Sequence, residues 1–195
     1  MRSILEAPPL VGALTLWDGA RLHIRPIRPD DDERLCAFHT GLSVSSIVFR
    51  FFTYLPTLPS EKLSRLTHVN YHDRMALLAT VGEAAHERII AVARYDRVGA
   101  KVAEVAFAVA DAWQQHGIGT ALLLLLADNA RAQGFTTFLA CVMAENTRMR
   151  GLLENAGFPL TREYPTGEID FSLDITLAPT GSLAPIAFTP DVETR

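Results

Sequence analysis

The chain has 195 residues, of which 49% are hydrophobic, and its formal net charge is −4 at pH 7. A chain of this length and composition can bury one good core, so we expect a single globular domain. The acidic balance argues against a general nucleic-acid-binding protein, which needs a clustered excess of Lys and Arg to neutralise phosphates. The two cysteines, Cys36 and Cys141, are distant in sequence, so a disulfide framework is not expected.

The start of the chain lacks the pattern of a secretory signal peptide, because residues 1–16 contain Arg2, Glu6 and the pair Pro8 and Pro9. The longest apolar run, residues 121–127, is too short to span a bilayer. We therefore expect a cytoplasmic protein that binds neither membrane nor nucleic acid.

The first half of the chain predicts a short extension, a strand and three helices. Residues 1–20 form the extension, with a short strand at 14–16, and a longer strand follows at 21–27. Acidic residues from Asp30 onward are typical of a helix start, because they favour the positive end of the helix dipole. The predicted helices are 30–41, 43–51 and 60–68.

The second half predicts alternating strands and helices. Two apolar runs at 75–81 and 89–95 predict a hairpin, and the alternating run at 102–109 predicts the next strand. The later elements are a helix that ends near Gly134, a strand at 137–143, a helix at 146–156 and a strand at 169–175. The tail from residue 178 is rich in Pro, Thr and Gly, so we expect it to be flexible or to pack on a partner.

The most informative segment is the turn of residues 114–120 between the strand at 102–109 and the long helix. A strand that turns through glycines into a helix presents unpaired backbone N–H groups to a diphosphate. A Rossmann turn needs a third glycine and a P-loop needs Gly-Lys-Ser/Thr, and neither is present. The pattern that remains is Gln-x-x-Gly-x-Gly, filled by Gln114, Gly117 and Gly119.

This turn resembles the acetyl-CoA-binding motif of the GCN5-related N-acetyltransferases, the GNAT family. Residues 21–31 are similar to the family's first strand and helix, and residues 144–146 with 152–158 are similar to its block of Asn, helix and Gly-Phe. The resemblance implies an α/β (α+β) fold: a single GNAT domain with a mixed, mostly antiparallel central sheet, flanking helices, and splayed strands that hold acetyl-CoA. The expected domains are an extension at 1–20, the GNAT domain at 21–177 and a tail at 178–195.

A narrower resemblance is to the acetyltransferase domain of bacterial protein lysine acetyltransferases of the Pat type. Residues 48–52, 72–77, 91–95 and 103–107 carry it. In those proteins the domain is often fused to a cyclic-nucleotide-binding or an acyl-CoA-synthetase-like regulatory domain. In 195 residues we expect neither.

The GNAT resemblance implies a set of cofactor-binding residues: Phe107, Ala108, Val109, Gln114, Gln115, His116, Gly117, Ile118, Gly119, Thr120 and Asn146. The backbone N–H groups of the turn would surround the diphosphate, and the backbone of residues 107–109 would pair with the pantetheine arm. The amide of Ala108 or Val109 would face the thioester oxygen. His116 stands where family members often have Arg or Lys. Asn146 would contact the pantetheine, and it is also a candidate N-cap.

Glu104 is the predicted general base. On a strand it shares a face with Val102, Ala106 and Ala108, so it is a single carboxylate among small apolar side chains. An apolar setting disfavours a charged carboxylate, which can then accept an ammonium proton directly or through water. In the Pat-type block Ala-Glu-Val-Ala-Phe the Glu is the base of that family. The alternative is a strand Glu that is solvated or paired with an Arg.

Three further positions complete the predicted site. Many GNAT enzymes have a Tyr general acid four residues before the Gly of Gly-Phe, but Leu153 occupies that position here. Phe49, Phe51 and Phe52 are expected in the core, with Arg50 beside them in reach of the acceptor cleft. No metal is expected, since His68 and His72 lack an evident third ligand.

We therefore expect an acetyl-CoA-dependent N-acetyltransferase that acts by direct attack of a primary amine with a Glu base. The expected acceptor is a protein lysine side chain, for example on an acyl-CoA synthetase-like enzyme. One alternative is an enzyme that acetylates a small amine such as a polyamine, an amino acid or an antibiotic. Another is a non-catalytic acyl-CoA-binding sensor. Glu104 argues against the sensor, and the absence of Tyr at Leu153 argues weakly for it.

Overall fold

The structure is a computed structural model that describes residues 10–83, 86–180 and 187–191. Over these residues the chain forms one 9-stranded sheet with α-helices on both faces. The strands are β1 (Gly12–Thr15), β2 (Arg21–Pro26), β3 (Arg74–Val81), β4 (Arg88–Arg97), β5 (Val102–Val109), β6 (Thr137–Met143), β7 (Leu160–Glu163), β8 (Glu168–Asp174) and β9 (Ala187–Pro190). The helices are α1 (Asp32–Thr40), α2 (Val44–Phe51), α3 (Ser60–Thr67), α4 (Ile118–Ala132) and α5 (Thr147–Asn155).

The sheet is mixed and mostly antiparallel, which confirms the predicted fold class. Its strand order is β7-β8-β6-β5-β4-β3-β2-β1-β9. Neighbouring strands are antiparallel except β5 and β6, which are parallel and are joined by the crossover helix α4. Across the described ranges, no helix has both the length and the apolar character needed to cross a membrane.

Two hydrophobic clusters form on the two faces of the sheet. Alternation along the central strands sends Met75, Leu77 and Ala79 to the face covered by α4 and α5, and Ala76 and Leu78 to the face covered by α1, α2 and α3. Because β3 and β4 are buried on both faces, they are nearly continuous apolar runs rather than alternating ones.

The edges of the sheet differ from the prediction. β7 was not expected, and β9 lies in the tail that we predicted to be flexible or to pack on a partner. β9 pairs with β1, and a Cβ built on Gly12 would lie 2.3 Å from the carbonyl oxygen of Thr189, so a glycine is needed for this approach. The ends of the chain join one sheet with residues 21–177. Residues 1–9, 181–186 and 192–195 lie outside the described residues.

A buried ion cluster fastens β2 to the start of α1 and to β4. The guanidinium of Arg25 donates two hydrogen bonds of 2.7 Å to the carboxylate of Asp31, and bonds of 2.9 and 2.7 Å to that of Glu87. Arg25 and Asp31 are only 3% and 1% exposed. Burial works to raise the pKa of Asp31, but hydrogen bonds from Arg25 and from the Arg28 backbone N–H outweigh it and hold that pKa below its ordinary value.

We expect Asp31→Asn to lower the free energy of unfolding by about 3 kcal/mol at pH 7, because the buried guanidinium of Arg25 loses one of its two carboxylate partners. Since the pKa of Asp31 is lower in the folded state, its contribution is fully present above about pH 4 and is lost as the pH falls through the folded-state value. The difference between the free energies of unfolding of wild type and variant should therefore decrease at acidic pH. Urea unfolding from pH 7 to pH 3 measures both effects.

The exposed neighbour Asp30 provides the control, and Asp30→Asn should change the stability by less than about 0.5 kcal/mol. Equal stabilities of wild type and Asp31→Asn at pH 7 would show that the cluster is not stabilising.

Candidate active site

The cleft of this protein begins where β5 and β6 stop pairing. Their register contains Val102 opposite Thr137, Ala103 opposite Phe138 and Glu104 opposite Leu139, and no later pair. Beyond Glu104, β5 stays paired with β4 as far as Val109, and β6 stays paired with β8 as far as Met143. Each strand is thus held on its outer side only. The two strands diverge, and their inner edges face an opening.

This opening is a cleft of about 670 Å³. Its walls include ten of the predicted cofactor-binding residues: Phe107, Ala108, Val109, Gln114, Gln115, Gly117, Ile118, Gly119, Thr120 and Asn146. The structure thus brings together residues from β5, the following turn, α4 and the start of α5.

His116 is the one predicted cofactor-binding residue that is not in the wall of this cleft, and its contact with a phosphate stays a prediction. Its ring lies near the rings of Trp17 and Trp113, with centroid separations of 6.4 and 6.2 Å. Its Nδ1 atom is 2.9 Å from the carbonyl oxygen of Gln114. Trp113 and Gln114 both line the cleft, so the imidazole of His116 lies beside the cleft without forming part of its wall.

The turn before α4 gathers unpaired backbone donors. Gly117 is the N-cap of α4 with a φ of 79°, and Gln115 also has a left-handed φ of 66°. The first helical bond is donated by Ala121 to Gly117. In the part of the chain that the structure describes, the N–H groups of Gln115, Gly119 and Thr120 therefore have no acceptor.

A left-handed conformation costs a non-glycine residue on the order of 1 kcal/mol, and such strain is concentrated at ligand sites. The left-handed conformation of Gln115 and the free N–H groups together give this turn a geometry that suits an anion.

The side chain of Gln114 has a positioning role. Its amide donates to the carbonyl of Val109 at 3.0 Å and to the Ser46 hydroxyl at 3.2 Å, and it accepts from Arg148 at 2.5 Å. One residue therefore connects β5, α2 and α5 around the cleft. Sequence reasoning missed Arg148 as a cleft residue. The available signal was a basic residue in the first turn of a helix, where the dipole disfavours it.

The peptide groups of β5 alternate between β4 and the cleft. The N–H of Ala110 donates to Ile90 on β4, whereas the carbonyl of Val109 accepts from Gln114 on the cleft side. By alternation, Phe107 and Val109 present their peptide groups to the cleft and Ala108 presents its own to β4. Of the two amides predicted to face a thioester oxygen, this arrangement favours Val109.

The glycine at 119 allows a close contact between α4 and α5. A Cβ built on Gly119 would lie 2.4 Å from Cδ1 of Leu152, and both residues line the cleft. Asn146 is the N-cap of α5, since its side chain accepts the Met149 N–H at 3.1 Å, and it also lines the cleft. Leu153 is fully buried, so it offers nothing to a leaving group.

Glu104 lies in a second cavity of about 250 Å³ that adjoins the cleft. The two spaces share Phe49, Arg50, Phe107 and Met149 in their walls. The cavity around Glu104 is lined mainly by apolar side chains, but Glu104 itself is exposed, so these side chains do not bury its carboxylate. The reason is tertiary: the sheet face beyond β5 is open to solvent at this point.

The aromatic residues of α2 and its C-cap line this second cavity, and Phe51 also packs against the core under α1, α2 and α3. Phe49, Phe51 and Phe52 all contribute to its wall, and Phe52 is 41% exposed. Arg50 lies between the two cavities and forms no hydrogen bond with any described residue. Burial and the nearby charge of Arg94 lower the pKa of Arg50 to about 10, although Asp96 and Glu104 act in the opposite direction. Arg50 is still a cation at neutral pH.

Comparison with known proteins agrees with this geometry. The acetyltransferase (GNAT) family model matches residues 45–158, more than half of the chain. An acetyltransferase of Pseudomonas aeruginosa is 32% identical over 118 residues, which are 60% of this chain and 63% of that protein. The acetyltransferase Pat of Mycolicibacterium smegmatis is 36% identical over 107 residues, which are 54% of this chain and 31% of that protein. The chain thus matches less than two thirds of the length of either curated relative.

Solved structures give the same result. The GNAT domain of S. lividans PAT superposes with a TM-score of 0.79 at 36% identity, covering 85% of this chain and 97% of that one. A cAMP-binding acyltransferase from Mycobacterium smegmatis superposes with a TM-score of 0.61 at 29% identity, covering 94% of this chain and 53% of that one. The chain therefore belongs to the acetyltransferase (GNAT) family.

Proposed function

We propose that this protein is an N-acetyltransferase that transfers the acetyl group of acetyl-CoA to a lysine side chain of another protein, with Glu104 as the general base. The observation that carries the proposal is that the two cavities adjoin and share four wall residues. The turn before α4 lines the first cavity, Phe107 of β5 lines both, and Glu104 lines the second.

The residues of the cleft fit acetyl-CoA, the co-substrate that the GNAT family uses. Unpaired N–H groups at the start of α4 suit a diphosphate, because the helix dipole adds to their positive charge. The unpaired inner edge of β5 suits an arm that contains amide groups, since such an arm can pair with it like an added strand.

The proposed chemistry is direct attack of an amine on the thioester. Glu104 accepts a proton from the acceptor ammonium, directly or through water, and the free amine attacks the carbonyl carbon. The N–H of Val109 stabilises the negative charge that develops on the carbonyl oxygen. As the C–N bond forms, the C–S bond breaks, and the attacking nitrogen gives its second proton to water. Because Leu153 is buried and apolar, the thiolate takes its proton from water.

The charge of Arg50 assists the first step. A cation beside the acceptor disfavours the ammonium form and favours the neutral amine, which is the reactive form. Its guanidinium is available for this role because it makes no salt bridge with the described residues.

The openness of the second cavity supports a protein acceptor. Glu104 and Leu139 are both exposed on the sheet, so the side chain of a bulky partner can reach the base without a lid having to open. The Pat relatives support the same class of acceptor, and an acyl-CoA synthetase-like enzyme is the candidate partner. A small primary amine is the second candidate, because the cavity of about 250 Å³ is large enough for one.

The role of Glu104 is tested by Glu104→Gln, which keeps the shape of the side chain and removes its basicity. We expect turnover at pH 7 to fall about 10²-fold or more while the affinity for acetyl-CoA stays unchanged. The deficit should shrink at high pH, where the amine is already neutral. Glu33→Gln on α1 is the matched control. Turnover of Glu104→Gln close to that of wild type at pH 7 would rule out the base.

The acceptor class is tested with labelled acetyl-CoA, bacterial lysate and a panel of free amines. We expect label in one or a few protein bands and slow turnover of free lysine and polyamines. The Glu104→Gln protein in the same lysate shows which bands depend on the enzyme. Efficient, saturable labelling of a small amine with no labelled protein would favour the second candidate.

The close contact of Gly119 with Leu152 is tested by a double-mutant cycle. Gly119→Ala forces Leu152 aside, so we expect acetyl-CoA affinity to fall about 10-fold through reshaping of the cleft wall. In a Leu152→Ala background the same change should have little effect, because the clash is gone. Calorimetry with CoA measures all four proteins. Equal losses in the two backgrounds would show that the contact does not control the site.

A further inference from the structure

Helices cover the two faces of the sheet unequally. α4 and α5 pack on one face as far as β8, where Ile169, Phe171 and Leu173 are buried. On the other face, α1, α2 and α3 cover a hydrophobic cluster that contains residues of β3 and β4. The same face continues across β6, β8 and β7, and there Leu139 is 37% exposed and Asp170 is exposed.

The register of the strands places a row of carboxylates on this open face. Glu104 lies opposite Leu139 of β6, which lies opposite Ser172 of β8. Because β8 alternates, Glu168, Asp170 and Asp174 point the same way as Ser172, and Glu163 of β7 lies opposite Asp170. We call these five residues the acidic face: Glu104, Glu163, Glu168, Asp170 and Asp174.

The charges of the acidic face are not neutralised within the described chain. None of its carboxylates forms a salt bridge with a described Lys, Arg or His. Asp174 accepts hydrogen bonds from the backbone N–H and the hydroxyl of Thr176 at 2.9 and 2.6 Å, and the thiol of Cys141 lies 3.1 Å from Glu168, but none of these donors is charged. Burial and hydrogen bonds to Glu168 and Asp170 raise the pKa of that thiol, so it stays neutral and adds no charge.

Fold stability does not account for this arrangement. Like charges directly opposite each other on paired strands, such as Glu163 and Asp170, are destabilising. A row of carboxylates next to the proposed base therefore destabilises the free protein through charge repulsion. A bound cationic ligand would offset that repulsion.

The opposite wall of the second cavity has the opposite charge. Arg50 on α2 and Lys62 on α3 line it, and Lys62 stacks over the ring of Phe51 at 4.7 Å. An acceptor that reaches Glu104 thus passes between a basic helical wall and an acidic sheet. This polarity orients a basic segment toward β6, β8 and β7.

We propose that the acidic face is the docking surface for a segment of the acceptor protein that carries Arg or Lys residues close to the acceptor lysine. The proposal rests on the proposed function, because it takes Glu104 as the point where that lysine reacts. Charge complementarity and continuity with the base carry it. With strands about 4.8 Å apart and three strand spacings from β5 to β7, the basic residues lie within about five residues of the lysine in an extended segment.

The test uses synthetic peptides with one lysine, flanked within five positions by Arg, Ala or Glu. We expect kcat/KM for the Arg-flanked peptide to exceed that for the Glu-flanked peptide by about 10-fold or more at low salt, with the difference falling as salt is added. Arg is used instead of Lys so that each peptide has a single acceptor.

Variants connect this preference to the surface. Glu163→Lys combined with Asp170→Lys should reduce kcat/KM for the Arg-flanked peptide about 10-fold and raise it for the Glu-flanked one. The double variant Glu163→Gln with Asp170→Asn, which is neutral at both positions, should lose an intermediate amount of kcat/KM for the Arg-flanked peptide. It tests the surface even if the charge-reversed variant does not fold. The control is Glu33→Lys with Glu83→Lys, which changes the net charge equally at exposed sites away from β5–β8. Circular dichroism checks that each variant is folded, and its affinity for CoA checks that the cleft is intact.

The outcomes separate the inference from the proposed function. If all three peptides are acetylated at equal rates, and the reversed pair behaves as the control does, the docking surface is wrong while the lysine acceptor stands. If no peptide is acetylated and a small amine is, the proposed function itself is wrong. A preference for Arg that is lost only in the acidic-face variants supports the inference.

Discussion

The site depends on one break in the sheet: β5 and β6 pair as far as Glu104 and Leu139 and then separate. Each strand keeps a full antiparallel partner on its outer side, so neither can shift to continue pairing with the other beyond this point. A register shift between Ala79 and Thr80, in the pairing of β3 with β4, lies toward the end of the sheet where the cleft opens. Such irregularities increase local twist. The separation leaves backbone donors and acceptors without partners, and these are what a cofactor arm can use.

Around this break the fold supplies two different environments on the two sides of Glu104. On one side the cleft is lined by backbone N–H groups and fixed by Gln114, which connects three elements. On the other side the sheet is open and acidic. A co-substrate held by shape and backbone dipoles can therefore meet an acceptor that is chosen by charge, without the two competing for the same surface. Direct transfer between them requires such an arrangement.

Buried and exposed charges have different roles in this molecule. The cluster of Arg25, Asp31 and Glu87 is closed, with paired hydrogen bonds, and it fixes the start of α1 against the sheet. Arg50 and the carboxylates of the acidic face form no salt bridge within the described chain. Their charges are therefore available to a ligand, which is the basis of the roles proposed for them.

Local patterns in the sequence determined the strand at 102–109, the two-glycine turn and the helix after it, because the spacing of a few neighbouring residues specifies them. They also identified ten of the eleven predicted cofactor-binding residues as lining one cleft. Contacts between distant residues decided the rest. The ring of His116 lies near those of Trp17 and Trp113 and is not part of the cleft wall, and β9 pairs with β1 from the other end of the sequence. Glu104 is exposed because no helix covers its side of β6. Burial and strand pairing depend on which segments meet, and no local pattern encodes that.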